Sequence, residues 1–528
     1  MPENVEATQR STRRPQRSFL MLLAPIMVAA LAIRLWAIWY YRSLEQPLVG
    51  DPWIYYMEGQ YIADGRGWIN PVFYEAYGIR REMAMHPPAF PVYLSLWAMI
   101  GFDALGWFQI ANLLVGLAVV AAVGLLARNM LNDRVALIAA AICALNPSLW
   151  SLEAMLLAEP LAILATVAML GATLHFRDKL TVPAAVLAGI AFGIGVLTRA
   201  ELGLAAVLVI VLLAVTHRSR NALKMIALSA IVAGLTVLPW SVHNSLRFSQ
   251  PTPVSNGLGV TMAATYCEET SGDFLGYWAI VCARRGLETS FSEWLAQHPN
   301  ATPIEIEAFP VCAWDPSVSN GPRTAVLTIM AMSQEQMCGL LDGYKATGDY
   351  PYYFYPEFDD SEIEQALRTS SVEWAVDHPS FTARSVAARI GRVLGVYRPD
   401  QQIGFDTIPE GRPPLWAKLS WWFYYLLLAP VLIGGWKLFK TSRSQFAILL
   451  IPFVVSLAAV SLTFGGTRYR AIGEPSMAVL AAVGLCAIWT AGRARWFIRT
   501  VGITTTEPQN GDDPAGRNRS PIPGEQAP

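Results

Sequence analysis

An aspartate, Asp51, stands close to the point where the first long apolar run of the chain ends. It opens an aromatic-rich stretch that contains Tyr55 and Tyr56 and closes at His86, directly before two prolines. An ionisable side chain at a membrane boundary indicates a functional site, and a carboxylate there could take up a proton as a general base. The alternative is that Asp51 caps a short helix beginning at Pro52, because Asp is a favoured N-cap and Pro a favoured first helical residue. The stretch alone leaves both interpretations open.

Other polar side chains stand at the ends of later apolar runs. They are Glu159, Arg199, His243, Asn244, Arg468 and Arg470. Arginine can hold a phosphate by paired hydrogen bonds, so the set suits a reaction on a lipid-linked phosphate whose apolar tail stays in the membrane. Each residue also has a structural alternative. Arginines near helix ends often anchor the helix, and Glu159 could simply pair with one of them.

The composition indicates what class of protein positions these residues. Of 528 residues, 54% are apolar and 15% are charged, whereas soluble chains are about a quarter charged. Apolar runs of about 16–24 residues recur, which predicts an all-α polytopic membrane protein surrounded by membrane lipids. The net charge of −1 gives no reason to expect a nucleic-acid partner.

Basic residues set the expected orientation. Arg10, Arg13, Arg14 and Arg17 precede the first apolar run, and such flanks stay in the cytoplasm. The segment 88–102 is about 15 residues long, which suits an interfacial helix better than a crossing; if it crossed, the later basic loops would fall outside. We therefore predict about ten crossings with both termini inside. The protein is expected in the plasma (inner) membrane as a multi-pass protein, with its active site on the extracytoplasmic side.

Composition divides the chain into five parts. They are a cytoplasmic basic N-terminus (1–17), a transmembrane catalytic core (18–240) with its first outer loop at 43–103, an extracytoplasmic domain (241–414), C-terminal transmembrane helices (415–490) and a cytoplasmic, partly disordered tail (491–528). Polar and apolar residues alternate in the extracytoplasmic part, which predicts a domain of mixed secondary structure. Two helix-like pieces are expected within it, near 361–378 and 380–395.

Four of the six cysteines fall in the extracytoplasmic part: Cys267, Cys282, Cys312 and Cys338. An even number in an oxidising compartment predicts two disulfides, with three possible pairings; the alternative is four free thiols. No C-x-x-C spacing is present, so no metal site is predicted there. The rest of the sequence shows no compact ligand cluster, which leaves a divalent cation possible and no cofactor certain.

Several short motifs follow one another in order along the chain. They are Gly50-Asp51 with Tyr55-Tyr56, Gly65-Arg66-Gly67, His86-Pro87-Pro88-Ala89-Phe90-Pro91, Glu159-Pro160, the run from Gly193 to Arg199, Pro239-Trp240 with Asn244, and Arg468-Tyr469-Arg470. This ordered set resembles the GT-C glycosyltransferases that use polyprenyl-phosphate sugars, the group that includes lipid A aminoarabinose transferase and the protein O-mannosyltransferases. The resemblance covers about residues 40–260, 370–400 and 464–476.

The resemblance implies an inverting glycosyltransferase with a GT-C membrane fold. It implies that a hexose or pentose moves from a polyprenyl-phosphate donor to a hydroxyl of a glycan, lipid or protein acceptor. Asp51 corresponds to the catalytic base and Glu159 to a second catalytic acid. The residues assigned to substrate binding are Tyr55, Tyr56, His86, Arg199, His243, Asn244, Arg468 and Arg470, of which Arg199 and Arg468 or Arg470 are on the phosphate side.

The sequence departs from the resembled group at two positions. Pro52 follows Asp51 where the protein mannosyltransferases have a second acid, and His243 occupies a place where an arginine is often found. A different class is a transporter or flippase of lipid-linked sugars, which would use the same arginines without chemistry. Such transporters often show inverted repeats, and no long internal repeat is seen in the sequence.

Overall fold

The computed structural model describes residues 16–315, 322–408 and 410–501, and in these the chain is helical. No strand occurs in the described residues, where an isolated antiparallel bridge joins Ile69 to Glu82. Eleven helices come first. They are α1 (Gln16–Ser43), α2 (Asp51–Ala63), α3 (Pro71–Tyr77), α4 (Ala89–Met99), α5 (Leu105–Met130), α6 (Asp133–Leu145), α7 (Pro147–Ala154), α8 (Glu159–Lys179), α9 (Val182–Thr198), α10 (Leu202–Thr216) and α11 (Arg220–Ser245).

The remaining helices form a second series. They are α12 (Leu258–Ala263), α13 (Ile280–Gln297), α14 (Pro322–Met330), α15 (Gln334–Thr347), α16 (Asp360–Asp377), α17 (Pro379–Val393), α18 (Pro399–Thr407), α19 (Pro414–Thr441), α20 (Arg443–Leu462) and α21 (Glu474–Val501). The chain divides into a compact unit of residues 1–485 and a short unit from 486 onward. The basic residues before 16 and the tail beyond 501, for which disorder was predicted, lie outside the described residues.

The membrane helices agree with the expectation of about ten crossings. Among the described residues, seven helices are long and apolar enough to cross a bilayer, and a bent pair of helices makes an eighth candidate. Two shorter apolar helices, α9 and α10, stand where the remaining crossings were expected. The segment expected not to cross contains only α4, which has 11 residues and is about 16 Å long, roughly half of the hydrocarbon core.

The eighth candidate span is broken between α6 and α7. Asn146 ends α6, and its side-chain oxygen accepts from the backbone N–H of Ser148, while Pro147 is the first residue of α7. Proline has no N–H and disfavours continuation of the preceding helix, so the two helices meet at a 48° bend. The Asn146 amide also donates to Glu474 at 2.9 Å, which ties the bend to the start of α21.

The two ends of the bundle carry different residues. Glu159 begins α8 and Lys179 ends it, so these residues are about 30 Å apart. At the Lys179 end the basic loops lie together, since Gln445 donates to the carbonyl of Met130 at 3.1 Å. Arg177 donates to Ser444 there at 3.4 Å. The Glu159 end holds the polar residues of interest.

The segment 241–414 differs from the prediction of mixed secondary structure. Its described residues form helices α12–α18 with short 3₁₀ turns and no strand. The two helix-like pieces correspond to α16 and α17. Alternation of polar and apolar residues does not produce strands here because short amphipathic helices interrupted by Pro and Gly give a similar pattern.

The expected outer segment (241–414) and the expected first outer loop (43–103) share one apolar core. The ring of Tyr77 stacks on that of Tyr353 at 4.5 Å and meets Phe309 edge-on at 4.9 Å. Arg81 of the first loop donates to Asp360 of α16 at 2.9 Å. These contacts fix the loop that leads from α2 towards His86.

The four cysteines of the outer segment are paired. Cys267 is joined to Cys282, and Cys312 is joined to Cys338. Both bridges close short loops, of 15 and 26 residues in sequence separation. Each could contribute about 2–4 kcal/mol to the stability of a loop-rich segment.

Candidate active site

Asp51 is the first residue of α2, but it does not cap that helix. The N-cap is Gly50, whose φ of 65° lies in the region that favours glycine. No side chain caps the helix N-terminus. The Asp51 carboxylate instead faces two cationic side chains, so the capping interpretation of this residue is wrong.

Arg468 is the main partner of Asp51. It lies in the 3₁₀ turn Thr467–Gly473, and its Nη2 donates to Oδ2 of Asp51 at 2.6 Å. Its Nε is 3.5 Å from Oε1 of Glu159. One guanidinium thus joins the two acids that the sequence singled out, across more than 300 residues of chain.

Arg199 completes this group from the loop between α9 and α10. Its Nη1 donates to Oε1 of Glu159 at 2.6 Å, and its Nε donates to Glu201. The guanidinium lies 5.5 Å from the ring centroid of Tyr469. Glu159, which is 2% exposed, therefore holds two arginines side by side.

His86 approaches the other oxygen of Asp51. Its Nε2 is 3.7 Å from Oδ1 of Asp51, and its Nδ1 is 3.5 Å from Oε2 of Glu58. The ring of Tyr55 lies 4.3 Å from the imidazole. Burial would lower the pKa of His86, but the nearby carboxylates of Asp51 and Glu58 outweigh burial and raise the pKa to about 9.

The charges around Asp51 decide its protonation. Burial would raise the pKa of this carboxyl, but the positive charge of Arg468 and the contact with His86 outweigh burial and hold the pKa well below its usual range. Asp51 is therefore ionised at neutral pH, as a general base must be. Its partners also make it a weak base until one of them moves away.

Four of the predicted binding residues, beginning with Arg470, have their contacts elsewhere. Arg470 donates to Glu474 at 2.9 Å and to the carbonyl of Val393, and its guanidinium lies 3.6 Å from the ring centroid of Tyr424. Residues two apart in a 3₁₀ turn point in different directions, which separates Arg470 from Arg468.

His243 and Asn244 belong to a second group at the end of α11. The Asn244 amide donates to the carbonyl of Thr252 and accepts from Arg247, which is paired with Glu82 at 2.9 Å. The exposed ring of His243 lies beside Trp240. Tyr56, a further predicted residue, packs edge-on against Phe108 of α5 at 5.6 Å.

Glu410 was missed by the sequence analysis. It stands in the loop before α19, and both of its carboxylate oxygens are buried with no hydrogen-bond partner in the part of the chain that the structure describes. Burial, reinforced by the negative charge of Asp406, raises the pKa of Glu410 to about 8. The same signal that drew attention to Asp51 could have found it, because Glu410 is also an acid at a membrane boundary.

One set of possible metal ligands is close enough in the described residues to surround an ion: Cys267, Glu269 and Cys282. Its two sulfurs are joined in a disulfide, so they cannot act as thiolate ligands. Between Asp51 and Glu159 the position that a cation would take is filled by the guanidinium of Arg468.

An apolar cavity of about 450 Å³ opens on the other side of the turn that carries Arg468. It lies between α19 and α20, and it reaches Arg470 and the end of α17. Its lining includes Leu432, Trp436, Phe439, Leu450, Phe453 and Leu457. Such a surface suits a hydrocarbon chain better than a sugar.

Comparison with known proteins supports the resemblance. Residues 85–243 match the family described as dolichyl-phosphate-mannose-protein mannosyltransferase. The solved structure of the archaeal oligosaccharyltransferase AglB from Archaeoglobus fulgidus, in complex with an inhibitory peptide and a dolichol-phosphate, matches 93% of this chain with a TM-score of 0.50 and 15% sequence identity. The chain has the GT-C fold.

This chain spans 52% of the length of the archaeal protein. The structure of ArnT from Cupriavidus metallidurans bound to undecaprenyl phosphate has 15% sequence identity and a TM-score of 0.35. The match covers 94% of this chain and 82% of the ArnT chain. That TM-score is too low to add support. Among curated proteins, none matches the sequence. The matched family range contains His86, Glu159 and Arg199, whereas Asp51 and Arg468 lie outside it.

Proposed function

We propose that this GT-C protein transfers a sugar from a polyprenyl-phosphate donor to an acceptor hydroxyl. The single observation that carries the proposal is the meeting of Asp51, Glu159, Arg199 and Arg468 at one end of an apolar bundle. The group combines a carboxylate that can act as a base with two arginines that can bind a phosphate, at the ends of apolar helices. The family description and the dolichol-phosphate named in the archaeal complex support a lipid-linked donor.

The reaction is a single displacement at the anomeric carbon. The acceptor oxygen attacks that carbon while Asp51 takes the proton of the hydroxyl. The bond between the anomeric carbon and the phosphate oxygen breaks, and its electron pair leaves with the lipid phosphate. One displacement inverts the anomeric configuration, so a single base is sufficient.

Arg199 and Arg468 would stabilise the charge that develops on the leaving phosphate. They are already held near each other, because both contact Oε1 of Glu159. Glu159 therefore acts as the residue that positions the two guanidinium groups, in addition to its role as the second catalytic acid that the resemblance implies.

The contact between Arg468 and Asp51 also gives an order of events. The two side chains are 2.6 Å apart. A phosphate that binds Arg468 competes with this contact and draws the arginine away from the carboxylate. Because Arg468 is the strongest influence that lowers the pKa of Asp51, donor binding would make Asp51 a stronger base at the moment when it is needed.

The donor's apolar tail would lie in the cavity between α19 and α20, and the sugar would lie on the side of α2. The 3₁₀ turn Thr467–Gly473 contributes Arg470 to the lining of that cavity and Arg468 to the contact with Asp51. By the distribution of basic loops, the site faces the extracytoplasmic side of the membrane.

A direct assay separates this proposal from transport. Purified protein in vesicles is incubated with a polyprenyl-phosphate sugar that is radiolabelled in the sugar, together with solubilised cell-envelope material as acceptor. Transfer predicts labelled acceptor and an equal amount of free polyprenyl phosphate. Movement of intact labelled donor between leaflets, with no sugar released from the lipid, would contradict the proposal. Mass spectrometry of envelope glycans from a deletion strain would then identify the sugar and acceptor.

A further inference from the structure

Glu410 has an environment unlike that of the other acids near the site. Both of its oxygens are buried, and neither receives a hydrogen bond within the described residues. The side chain lies against Gly466, where an added methyl group would be 3.3 Å from Oε1 of Glu410. Gly466 stands two residues before Arg468, so Glu410 borders the proposed phosphate site.

The neighbouring acid, Asp406, takes the available donors. Its Oδ2 accepts from Thr467 at 2.6 Å, and its Oδ1 accepts from Gln402 at 2.9 Å. Arg412 lies 3.6 Å from the same carboxylate. Asp406 is fully buried and well satisfied, whereas Glu410, beside it, has no hydrogen-bond donor among the described residues.

A buried carboxylate without donors is costly, and the neutral form relieves that cost. The charged groups that face Glu410 do not provide enough compensation. They are Asp406 of α18, Glu159 of α8, Arg412 of the following loop and Arg468 of the 3₁₀ turn, and the phenol of Tyr277 lies on the same side. Burial and Asp406 together raise the pKa of Glu410 to about 8. The carboxyl therefore carries a proton at neutral pH.

We propose that Glu410 is a neutral carboxyl group that donates a hydrogen bond to an oxygen of the donor phosphate. This inference rests on the proposed function. The proton stays on Glu410 throughout, so no bond of this residue forms or breaks. An ionised Glu410 would repel the phosphate beside Arg468, whereas the protonated group supplies an additional donor aimed at the leaving oxygen.

The opposite assignment is that Glu410 is ionised when the donor binds and acts as a base or binds a cation. The two assignments differ in what Glu410→Gln does. Glutamine keeps the size and a hydrogen-bond donor, but it cannot ionise. It should therefore replace a protonated glutamate and should fail to replace an ionised one.

The test measures binding of polyprenyl phosphate to the purified full-length protein in detergent between pH 6.5 and 9.5. The affinity of wild type for polyprenyl phosphate should fall above pH 8, because one group ionises. The fall should be at most about tenfold per pH unit. Glu410→Gln should bind within a few-fold of wild type at pH 7 and show no loss near pH 8. Glu410→Ala should lose about tenfold or more at pH 7. The matched control is Glu357→Gln, at an exposed glutamate of the outer segment, which should keep the wild-type profile.

Several outcomes would overturn the assignment. A Glu410→Gln variant that binds as weakly as Glu410→Ala would show that the ionised form is used. A Glu410→Gln variant that retains the wild-type break near pH 8 would assign that break to another group, such as His86. Failure of wild type to transfer sugar would overturn the proposed function, and the binding profile would still decide the role of Glu410.

Discussion

Arg468 and Arg470 offer a matched pair at the scale of single residues. Both are arginines of one 3₁₀ turn, but Arg468 contacts Asp51 and Glu159 whereas Arg470 contacts Glu474 and Tyr424. Lysine keeps the charge and loses the planar fork. Arg468→Lys should lower turnover by about 10²-fold, the order of magnitude of removing one transition-state donor.

Arg470→Lys should leave turnover within a few-fold of wild type and should lower thermal stability, because Arg470 joins α17, α19 and α21. Turnover and unfolding temperature of both variants check the pair. Equal turnover in the two variants would refute the assignment of Arg468 to the phosphate.

His86 predicts a pH dependence of stability. Its pKa is raised from about 6.5 in the unfolded chain to about 9 in the folded protein. The stabilisation is therefore complete below about pH 6.5 and is lost as pH rises through 9. Between pH 6.5 and 9 the unfolding temperature of wild type should fall by more than that of His86→Asn. Thermal unfolding in detergent measures this difference. If the unfolding temperatures of wild type and His86→Asn change equally with pH, the assignment of a positive charge to His86 is contradicted.

The residue-level predictions from sequence were uneven, for a physical reason. Asp51, His86, Glu159, Arg199 and Arg468 come together because each stands where a helix or turn begins or ends at the same face of the bundle. Position at a boundary is visible in a sequence. The direction of a side chain within a turn is not visible in a sequence. Arg470 and Arg468 therefore could not be distinguished before the structure was known. Glu410 also stands at a boundary and could have been noticed for that reason, but its burial depends on contacts with distant residues and could not be predicted.

At the scale of helices, the cavity between α19 and α20 should hold the donor's tail. Leu450→Trp introduces a larger side chain into its lining. The expected result is a raised KM for a long polyprenyl donor, with kcat within a few-fold of wild type. The KM for a donor with a short prenyl tail should change little. Leu235→Trp, on an exposed face of α11, is the control. Equal effects on long and short donors would place the tail elsewhere.

Helix existence was more predictable than helix length and order. Long apolar runs such as α5 give clear signals, and the bend at Asn146 follows from a capping residue before a proline. The mixed character expected for 241–414 was wrong because periodicity is weak in short helices. The pairing of its cysteines could not be predicted, since three pairings satisfy the sequence equally.

At the scale of the whole molecule, the opposite ends of the bundle should lie on opposite sides of the membrane. A cysteine introduced at Asn129, beside Arg128, should be protected from an impermeant thiol reagent in intact cells, and it should react after permeabilisation. A cysteine at Glu357, an exposed position of the outer segment, should react in intact cells. The reverse pattern would invert the orientation and move the site to the cytoplasmic side.

The most direct measurement of the central claim is the turnover of purified Asp51→Asn protein with a labelled polyprenyl-phosphate sugar. Asparagine keeps the size and hydrogen-bonding reach of aspartate and removes its ability to take a proton. The helix should be unaffected, because Gly50 rather than Asp51 is its N-cap. Turnover should fall by about 10²–10⁴-fold while polyprenyl phosphate still binds, and Asp64→Asn, at an exposed acid of the same loop, should retain activity. An Asp51→Asn protein that turns over within a few-fold of wild type would contradict the assignment of Asp51 as the base.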